Sequence, residues 1–175
     1  MLQAAPVMPA APEAMSSSMS SSGSPMIRYQ PIVYVPYVPL VDSCTQKKAE
    51  EARNKRLVRR FTQGLFGEKN ISCIDQFIAP NYIQHNPTVA DGRESLKTAA
   101  RGWFQGDETK GTVDIKRVSA DGDLVWVHSK DKDEEGRVMA VVDIYRVKDG
   151  KIQEHWDVMQ VLTEPEKSKN KHPLF

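Results

Sequence analysis

"AVVDIYRVKDGKIQEHWDVMQ", residues 140–160, consists of two alternating runs separated by an Asp-Gly turn signal. This pattern predicts two antiparallel strands joined by a hairpin, because successive side chains on a strand point to opposite faces. In the second run, His155 and Asp157 share one face and Trp156 lies on the other. Ionisable groups are costly on a buried face unless they are paired or take part in chemistry. The hairpin therefore determines both the fold and the candidate site.

The turn at 148–150 decides which side chains of the hairpin share a face. A three-residue loop with a left-handed Gly150, a common hairpin form, would place Asp143 opposite His155. A two-residue loop would shift the pairing by one residue and divide the polar side chains between the two faces. We therefore predict the three-residue loop, which keeps the polar side chains together. The predicted polar face carries Asp143, Tyr145, His155, Asp157 and Met159, and the predicted apolar face carries Val142, Ile144, Trp156 and Val158.

The sequence around this hairpin predicts an α+β fold. From Thr112 onward the period is two, which predicts four strands at 112–119, 123–130, 137–147 and 151–161. Before Thr112 the spacing of apolar residues is helical, and we predict three helical segments. The first runs from Ser43 or Thr45 to about Phe66 and ends at Gly67. The second covers 71–78 and is ended by Pro80. The third runs from Asp91 or Gly92 through Phe104. Helices followed by an antiparallel meander predict a curved sheet with the helices packed on one face.

The two longer helices are predicted to pack through apolar faces. The apolar positions are Ala49, Leu57, Val58, Phe61 and Leu65 in the first helix, and Leu96, Ala100 and Trp103 in the third. The opposite face of the first helix is basic, with Lys47, Lys48, Arg53, Lys55, Arg56, Arg59 and Arg60. We interpret it as a solvated face, because no aromatic side chain interleaves with the basic residues, as a binder of single-stranded nucleic acid would need.

The strand before the hairpin extends the polar face in this prediction. Trp126 and His128 share a face with Leu124 in "DLVWVHSK". If the turn at 131–136 brings His128 opposite Asp143, the imidazole joins the cluster. The predicted cluster is His128, Asp143, His155 and Asp157, lined by Trp126, Tyr145 and Met159. An apolar hollow with a few convergent polar groups is typical of a small-molecule pocket. The reverse face is apolar, so we expect a homodimer formed through the sheet.

Composition limits the class of protein. The 24 Lys and Arg residues nearly balance the 23 Asp and Glu residues, which argues against a nucleic-acid partner. The two cysteines have no metal-ligand spacing, which fits a cytoplasmic protein. No apolar run approaches the roughly 18 residues that span a membrane. We divide the chain into a disordered or extended N-terminal arm at 1–45, a folded domain at 46–163 and a polar tail at 164–175.

Four stretches together resemble a known family. They are "YIQHNP" (82–87), "DGRESL" (91–96), "GDLVWVH" (122–128) and the hairpin at 140–160. Over about residues 46–163 the chain resembles the SnoaL-like polyketide cyclases, and within them a branch of predicted aldol-condensation-catalysing proteins. The resemblance implies an α+β cone fold, shared with nuclear transport factor 2, scytalone dehydratase and ketosteroid isomerase. It also implies dimers formed through the sheet and catalysis without a metal or an organic cofactor.

The resemblance also implies roles for two residues of the cluster. In characterised cyclases of the family a pocket aspartate is the general acid and base, helped by a histidine, and Asp143 and His128 look like the matching positions. We therefore expect a cyclase, isomerase or lyase that acts on a small hydrophobic carbonyl substrate such as a polyketide-like metabolite. Asp143 would abstract a proton beside the carbonyl, and His128 would polarise the carbonyl or relay the proton.

The other polar residues are expected to support this chemistry. His155 and Asp157 would pair, with Asp157 fixing the tautomer of the imidazole. Tyr82, His85 and Tyr145 would add hydrogen-bond donors at the mouth of the pocket.

Three alternatives remain open at this point. Asp143 and His155 could form a purely structural pair. His128, His155 and one carboxylate could bind iron. The domain could also be a non-catalytic module that binds a small molecule or forms a dimer, since a fold does not fix an activity.

Overall fold

A computed structural model of the chain describes residues 42–106, 109–133, 135–162, 168–172 and 174–175. Residues 1–41, which make up most of the predicted N-terminal arm, lie outside the described residues. None of the helices in the described part is long and apolar enough to cross a membrane.

The first helix, α1, spans Ser43–Thr62 and continues into a π-helical turn at Gln63–Gly67. Asp42 caps α1, because its carboxylate accepts a hydrogen bond from the Thr45 amide at 2.9 Å. The predicted cap at Ser43 or Thr45 was therefore one to three residues late. The predicted stop at Gly67 is confirmed. A side chain at Gly67 would bring its Cβ within 2.7 Å of the Gly111 carbonyl oxygen, so only glycine fits this close approach.

The other helices are α2 at Cys73–Phe77 and α3 at Arg93–Trp103. The predicted core positions Val58, Phe61 and Leu65 of α1 are buried, as are Leu96 and Ala100 of α3. Two predicted core positions are wrong. Ala49 is exposed, and Trp103 is 48% exposed and stacks on Phe66 outside the core.

Five strands form one sheet in the order β1-β5-β4-β3-β2. They are β1 Ile78–Gln84, β2 Asp114–Asp121, β3 Leu124–Lys132, β4 Val138–Lys148 and β5 Lys151–Val161. The four-strand antiparallel meander is confirmed, with ends shifted by one or two residues. The sequence does not predict strand β1, because Pro80 ends the preceding helical pattern. Proline is tolerated there because β1 is an edge strand, which pairs only with β5, in parallel.

The turn of the last hairpin differs from its prediction. It has two residues, Asp149 and Gly150, both with positive φ (53° and 70°). Gln153 on β5 has no partner on β4, and this β-bulge adds back the residue that the shorter turn removes. Asp143 therefore lies opposite Asp157, and Tyr145 opposite His155. The predicted pairing of Asp143 with His155 is wrong, but these odd-numbered residues do share a face.

The register of β3 places His128 on the other side of the sheet. His128 pairs with Val142, and Val127 pairs with Asp143. We call the face that packs against the helices the site face; it carries Val125, Val127, Asp143, Tyr145 and His155. We call the opposite face the outer face; it carries Trp126, His128, Val142, Ile144, Trp156 and Val158. The prediction that His128 lies opposite Asp143 is wrong because the connection between β3 and β4 sets a register shifted by one residue, which reverses every side chain.

Candidate functional site

The site face holds a buried pair of ionisable residues on adjacent strands. His155 Nε2 lies 3.0 Å from Asp143 Oδ1. The two side chains are 10% and 12% exposed, respectively. Only Oδ1 of Asp143 has a hydrogen-bond partner among the described residues, so its second oxygen remains free. The pair sits against the core through Tyr145, whose ring stacks on the imidazole at 4.8 Å.

Gln84 at the end of β1 fixes the orientation of the imidazole. Its Oε1 accepts a hydrogen bond from the Asn86 amide at 3.1 Å and lies 2.9 Å from His155 Nδ1. Its Nε2 donates to the Tyr82 hydroxyl at 3.1 Å. Because the Asn86 amide can only donate, Gln84 Oε1 must be an acceptor, and His155 Nδ1 must therefore carry a proton.

This tautomer requires a proton between His155 and Asp143. With Nδ1 protonated, a neutral imidazole has a bare lone pair on Nε2, and an ionised Asp143 has only acceptors. Two acceptors at 3.0 Å repel each other unless a proton lies between them. Either Asp143 is a neutral acid that donates to Nε2, or His155 is an imidazolium that donates to Oδ1. The pair as a whole is neutral in both forms.

Burial raises the pKa of Asp143, and the neighbouring Asp157 carboxylate raises it further, whereas the hydrogen bond with His155 opposes the rise. Burial also raises the pKa of Tyr82 and of Tyr145 well above the usual range, so both phenols stay neutral. An aspartate that holds its proton more tightly than usual is a stronger base when ionised.

Asp157 is bound by Asn86 and not by His155. The Asn86 side-chain amide donates to both Asp157 oxygens, at 3.0 and 2.8 Å. The orientation of that amide is fixed because its oxygen accepts from the Thr88 amide at 2.9 Å and from the Thr88 hydroxyl at 2.7 Å. The predicted His155–Asp157 pair is therefore wrong, and the tautomer-fixing partner of His155 is Gln84.

Three other predicted site residues lie on the outer face. His128 contacts Arg117 Nη1 through Nδ1 at 3.0 Å and stacks on the ring of Phe175. His85 stacks on Trp156 at 4.4 Å and lies 3.5 Å from Glu154. Trp126 shares this face through its pairing with Ile144.

The remaining predicted residues share the site face. Tyr82 and Tyr145 are fully enclosed, at 2% exposure each, so they support the pair from within the core and do not form a pocket mouth. Met159 follows Asp157 on the same face, where it is 52% exposed.

Sequence reasoning missed Gln84 and Asn86. Both belong to the stretch after Pro80, for which the sequence analysis predicts no strand. The signal was present, since Tyr82, Gln84 and Asn86 occur at a spacing of two and all point to the site face. That spacing is explained only by the tertiary structure, in which the stretch forms an edge strand that pairs in parallel with β5.

Asp143, His155 and Asp157 could also hold a cation. One ligand atom from each lies within 4.8 Å of the others, and a histidine with two carboxylates suits a divalent transition metal. The predicted iron-binding alternative is corrected in one respect: His128 is on the outer face and cannot join His155. A metal at this site would have to displace the proton that Asp143 and His155 share.

A separate cleft of about 330 Å³ lies at the end of α1, beside α2. Its lining contains none of the three ionisable residues above. We assign the candidate site to the Asp143–His155 pair because buried, mutually hydrogen-bonded ionisable groups indicate chemistry more directly than the size of a cleft does.

Comparison with known proteins places this geometry in a family. A family model described as a SnoaL-like domain matches residues 58–155. The comparison with curated proteins gives no match.

Several solved structures share the fold. An LEH-like epoxide hydrolase from M. tuberculosis is 24% identical, with a TM-score of 0.53, over 63% of this chain and 85% of that one. An NTF-2 like protein of unknown function from Burkholderia xenovorans is 14% identical, with a TM-score of 0.56, over 70% and 98% of the two chains. A predicted ketosteroid isomerase from Kribbella flavida is 16% identical, with a TM-score of 0.56, over 71% and 94%. At these identities the similarity shows the fold alone, whereas the family match covers more than half of the chain. The chain therefore belongs to the SnoaL-like domain family, and it has the α+β cone fold of nuclear transport factor 2-like proteins.

Proposed function

We propose that the chain is an enzyme that performs acid and base chemistry on a small carbonyl compound, with Asp143 as the base and without a metal or an organic cofactor. The observation that carries the proposal is the proton shared by Asp143 and His155, deduced from the hydrogen bonds of Gln84. Asp143 also keeps one oxygen without a partner among the described residues, and this oxygen is available to a substrate.

The proposed step transfers a proton from the carbon next to the carbonyl to the free oxygen of Asp143. The electron pair of the broken C–H bond becomes the double bond of an enolate, and the negative charge moves to the carbonyl oxygen. Asp143 becomes neutral and His155 remains an imidazolium, so the charge of the imidazolium offsets that of the enolate. Returning the proton to another carbon gives an isomerisation, and attack of the enolate on a second carbonyl gives an aldol-type cyclisation.

The charges around the pair favour a neutral substrate. Asp143 and His155 together are neutral, and Asp157 adds one negative charge that only the Asn86 amide contacts among the described residues. No described Lys or Arg side chain forms an ion pair with either aspartate. A carboxylate-bearing substrate would therefore be repelled, which supports a hydrophobic carbonyl compound.

The proposal is tested by exchange of hydrogen for deuterium, which needs no knowledge of the complete reaction. The protein is incubated in D₂O with a panel of neutral ketones and β-keto esters, and NMR follows the loss of α-proton signals. Asp143→Asn should lower the rate for any compound that the wild type exchanges by about 10²–10⁴-fold, the usual contribution of a general base. Asp114→Asn, at an exposed carboxylate that pairs with Lys116, is the matched control and should keep the wild-type rate.

Three outcomes would contradict the proposal. Exchange that survives Asp143→Asn within a few-fold would remove Asp143 as the base, and compounds that bind without exchanging would indicate a non-catalytic binding module. If treatment with EDTA abolished exchange and a divalent metal restored it, the proposal that no metal is needed would be wrong, and the site would be assigned to a metal ion.

We further propose that the chain forms a homodimer through the outer face. Ile83 and Val158 on this face are 43% and 66% exposed, respectively. Trp156 shares the face, two residues before Val158 on β5. Exposed apolar side chains grouped on one sheet face favour a protein contact.

A further inference from the structure

The cleft at the end of α1 has a wall of amide and guanidinium groups. Its lining includes Arg59, Arg60, Gln63, Glu68, Asn70 and Phe77. Gly64 of the π-helical turn also lines the cleft, and a Cβ there would be 3.4 Å from Cys73 Sγ. The π-helical turn and α2 therefore approach closely beside this space of about 330 Å³.

The two arginines of the cleft have no acidic partner. Arg59 and Arg60 are exposed, and neither forms an ion pair with any residue that the structure describes. The Arg60 guanidinium lies 5.5 Å above the ring of Phe77, which fixes it at the edge of the cleft. By comparison, Lys97 and Arg146 each form ion pairs with carboxylates. Two unneutralised guanidinium groups at one cleft give it a positive potential.

The amide groups of the lining add donors rather than acceptors. Asn70 uses its oxygen for the Ser72 amide at 3.1 Å and the Ser72 hydroxyl at 2.6 Å, which leaves its NH₂ group to donate. Gln63 is fully used, because it donates to the Gly111 carbonyl at 2.8 Å and accepts from the Val113 amide at 3.0 Å. Glu68 is the only acidic residue in the lining. Two guanidinium groups and the Asn70 amide therefore face a single carboxylate, and such an excess of charged donors is typical of sites that bind oxyanions.

We propose that this cleft binds a small organic oxyanion, a phosphate monoester or a carboxylate, through Arg59, Arg60 and the Asn70 amide. The site is distinct from the Asp143–His155 pair, which is neutral, has the Asp157 carboxylate beside it and lies on the other side of Phe61. The ring of Phe61 separates the two places, since it contacts Phe77 at 6.3 Å and Tyr145 at 5.9 Å. The inference does not depend on the proposed enzyme activity.

The test uses phenyl phosphate and benzoate as separate probes in calorimetric and NMR titrations at about 0.15 M salt, where surface charges are strongly screened. At least one probe should bind saturably with one site per chain, and the probe that binds more tightly identifies the anionic group. The double variant Arg59→Gln/Arg60→Gln should weaken binding about tenfold or more, the equivalent of one lost charge-assisted hydrogen bond. Asp143→Asn should leave this binding unchanged, which separates the result from the proposed function.

The matched control is Arg53→Gln/Arg56→Gln. It removes the same charge from the same helix, at two arginines that also lack a described acidic partner but do not line the cleft. The control should bind within about threefold of the wild type, since long-range charge effects are screened. Equal weakening in both double variants would show diffuse attraction and overturn the site. Absence of saturable binding would also overturn the site. Tighter binding of a short DNA duplex than of either probe, with a steep dependence on salt concentration, would overturn it as well.

Discussion

At the scale of single residues, Gln84 determines the protonation of the candidate site. Gln84→Met removes the acceptor for His155 Nδ1 and for the Asn86 amide while keeping the length of the side chain. We expect the free energy of unfolding to fall by about 1–3 kcal/mol, the cost of unsatisfied buried donors. We also expect nitrogen NMR shifts of His155 to lose the Nδ1-protonated signature. Gln153→Met, at a half-buried glutamine of the same sheet whose amide donates to the Lys148 carbonyl, should leave the His155 spectrum unchanged. An unchanged His155 spectrum in Gln84→Met would refute the role of Gln84.

A second prediction at this scale concerns the dependence of stability on pH. The pKa of Asp143 is raised from 3.8 by burial, so the folded chain keeps this proton at pH values where the unfolded chain has released it. The free energy of unfolding of the wild type, relative to Asp143→Asn, should therefore fall as pH rises above 3.8 and level off above the folded pKa. Urea denaturation of both proteins between about pH 4 and 8 measures this difference. A difference that grows with pH would mean that the ion pair with His155 outweighs burial.

At the scale of elements, the bulge at Gln153 keeps the site together. The turn at Asp149-Gly150 alone would direct His155 and Asp157 to the outer face, and the unpaired Gln153 restores the alternation. Deletion of Gln153 removes only the unpaired residue, so Glu154 stays opposite Arg146 and His155 stays opposite Tyr145. We therefore expect this variant to fold, with native His155 NMR signals. Deletion of both Gln153 and Glu154 also removes a paired residue and would place His155 opposite Arg146 on the outer face, so its free energy of unfolding should be lower by more than about 3 kcal/mol. An unfolded single deletion, or native His155 signals in the double deletion, would show that the register is set elsewhere.

At the scale of the whole molecule, the outer face makes the proposed dimer testable. Val158→Lys should convert a dimer to a monomer, as measured by light scattering after size-exclusion chromatography, because it places a charge in an apolar contact. Met159→Lys is the matched control: Met159 is the next residue and is 52% exposed, but it lies on the site face. A wild type that is monomeric at high concentration, or two variants with equal effects, would contradict a dimer formed through this face.

The sequence by itself determined the α+β fold, the antiparallel meander and the sharing of one face of β5 by His155 and Asp157. These features follow from local periodicity, which acts over a few residues and is visible in the chain. Only the tertiary structure decided the partners of those residues. Strand register depends on turn length and bulges, and the pairing of β1 with β5 joins residues about 70 positions apart in sequence, as in Gln84 with His155. His128 was misplaced because one residue of register moves a side chain to the other face, and Gln84 was missed because its role exists only once the edge strand is added.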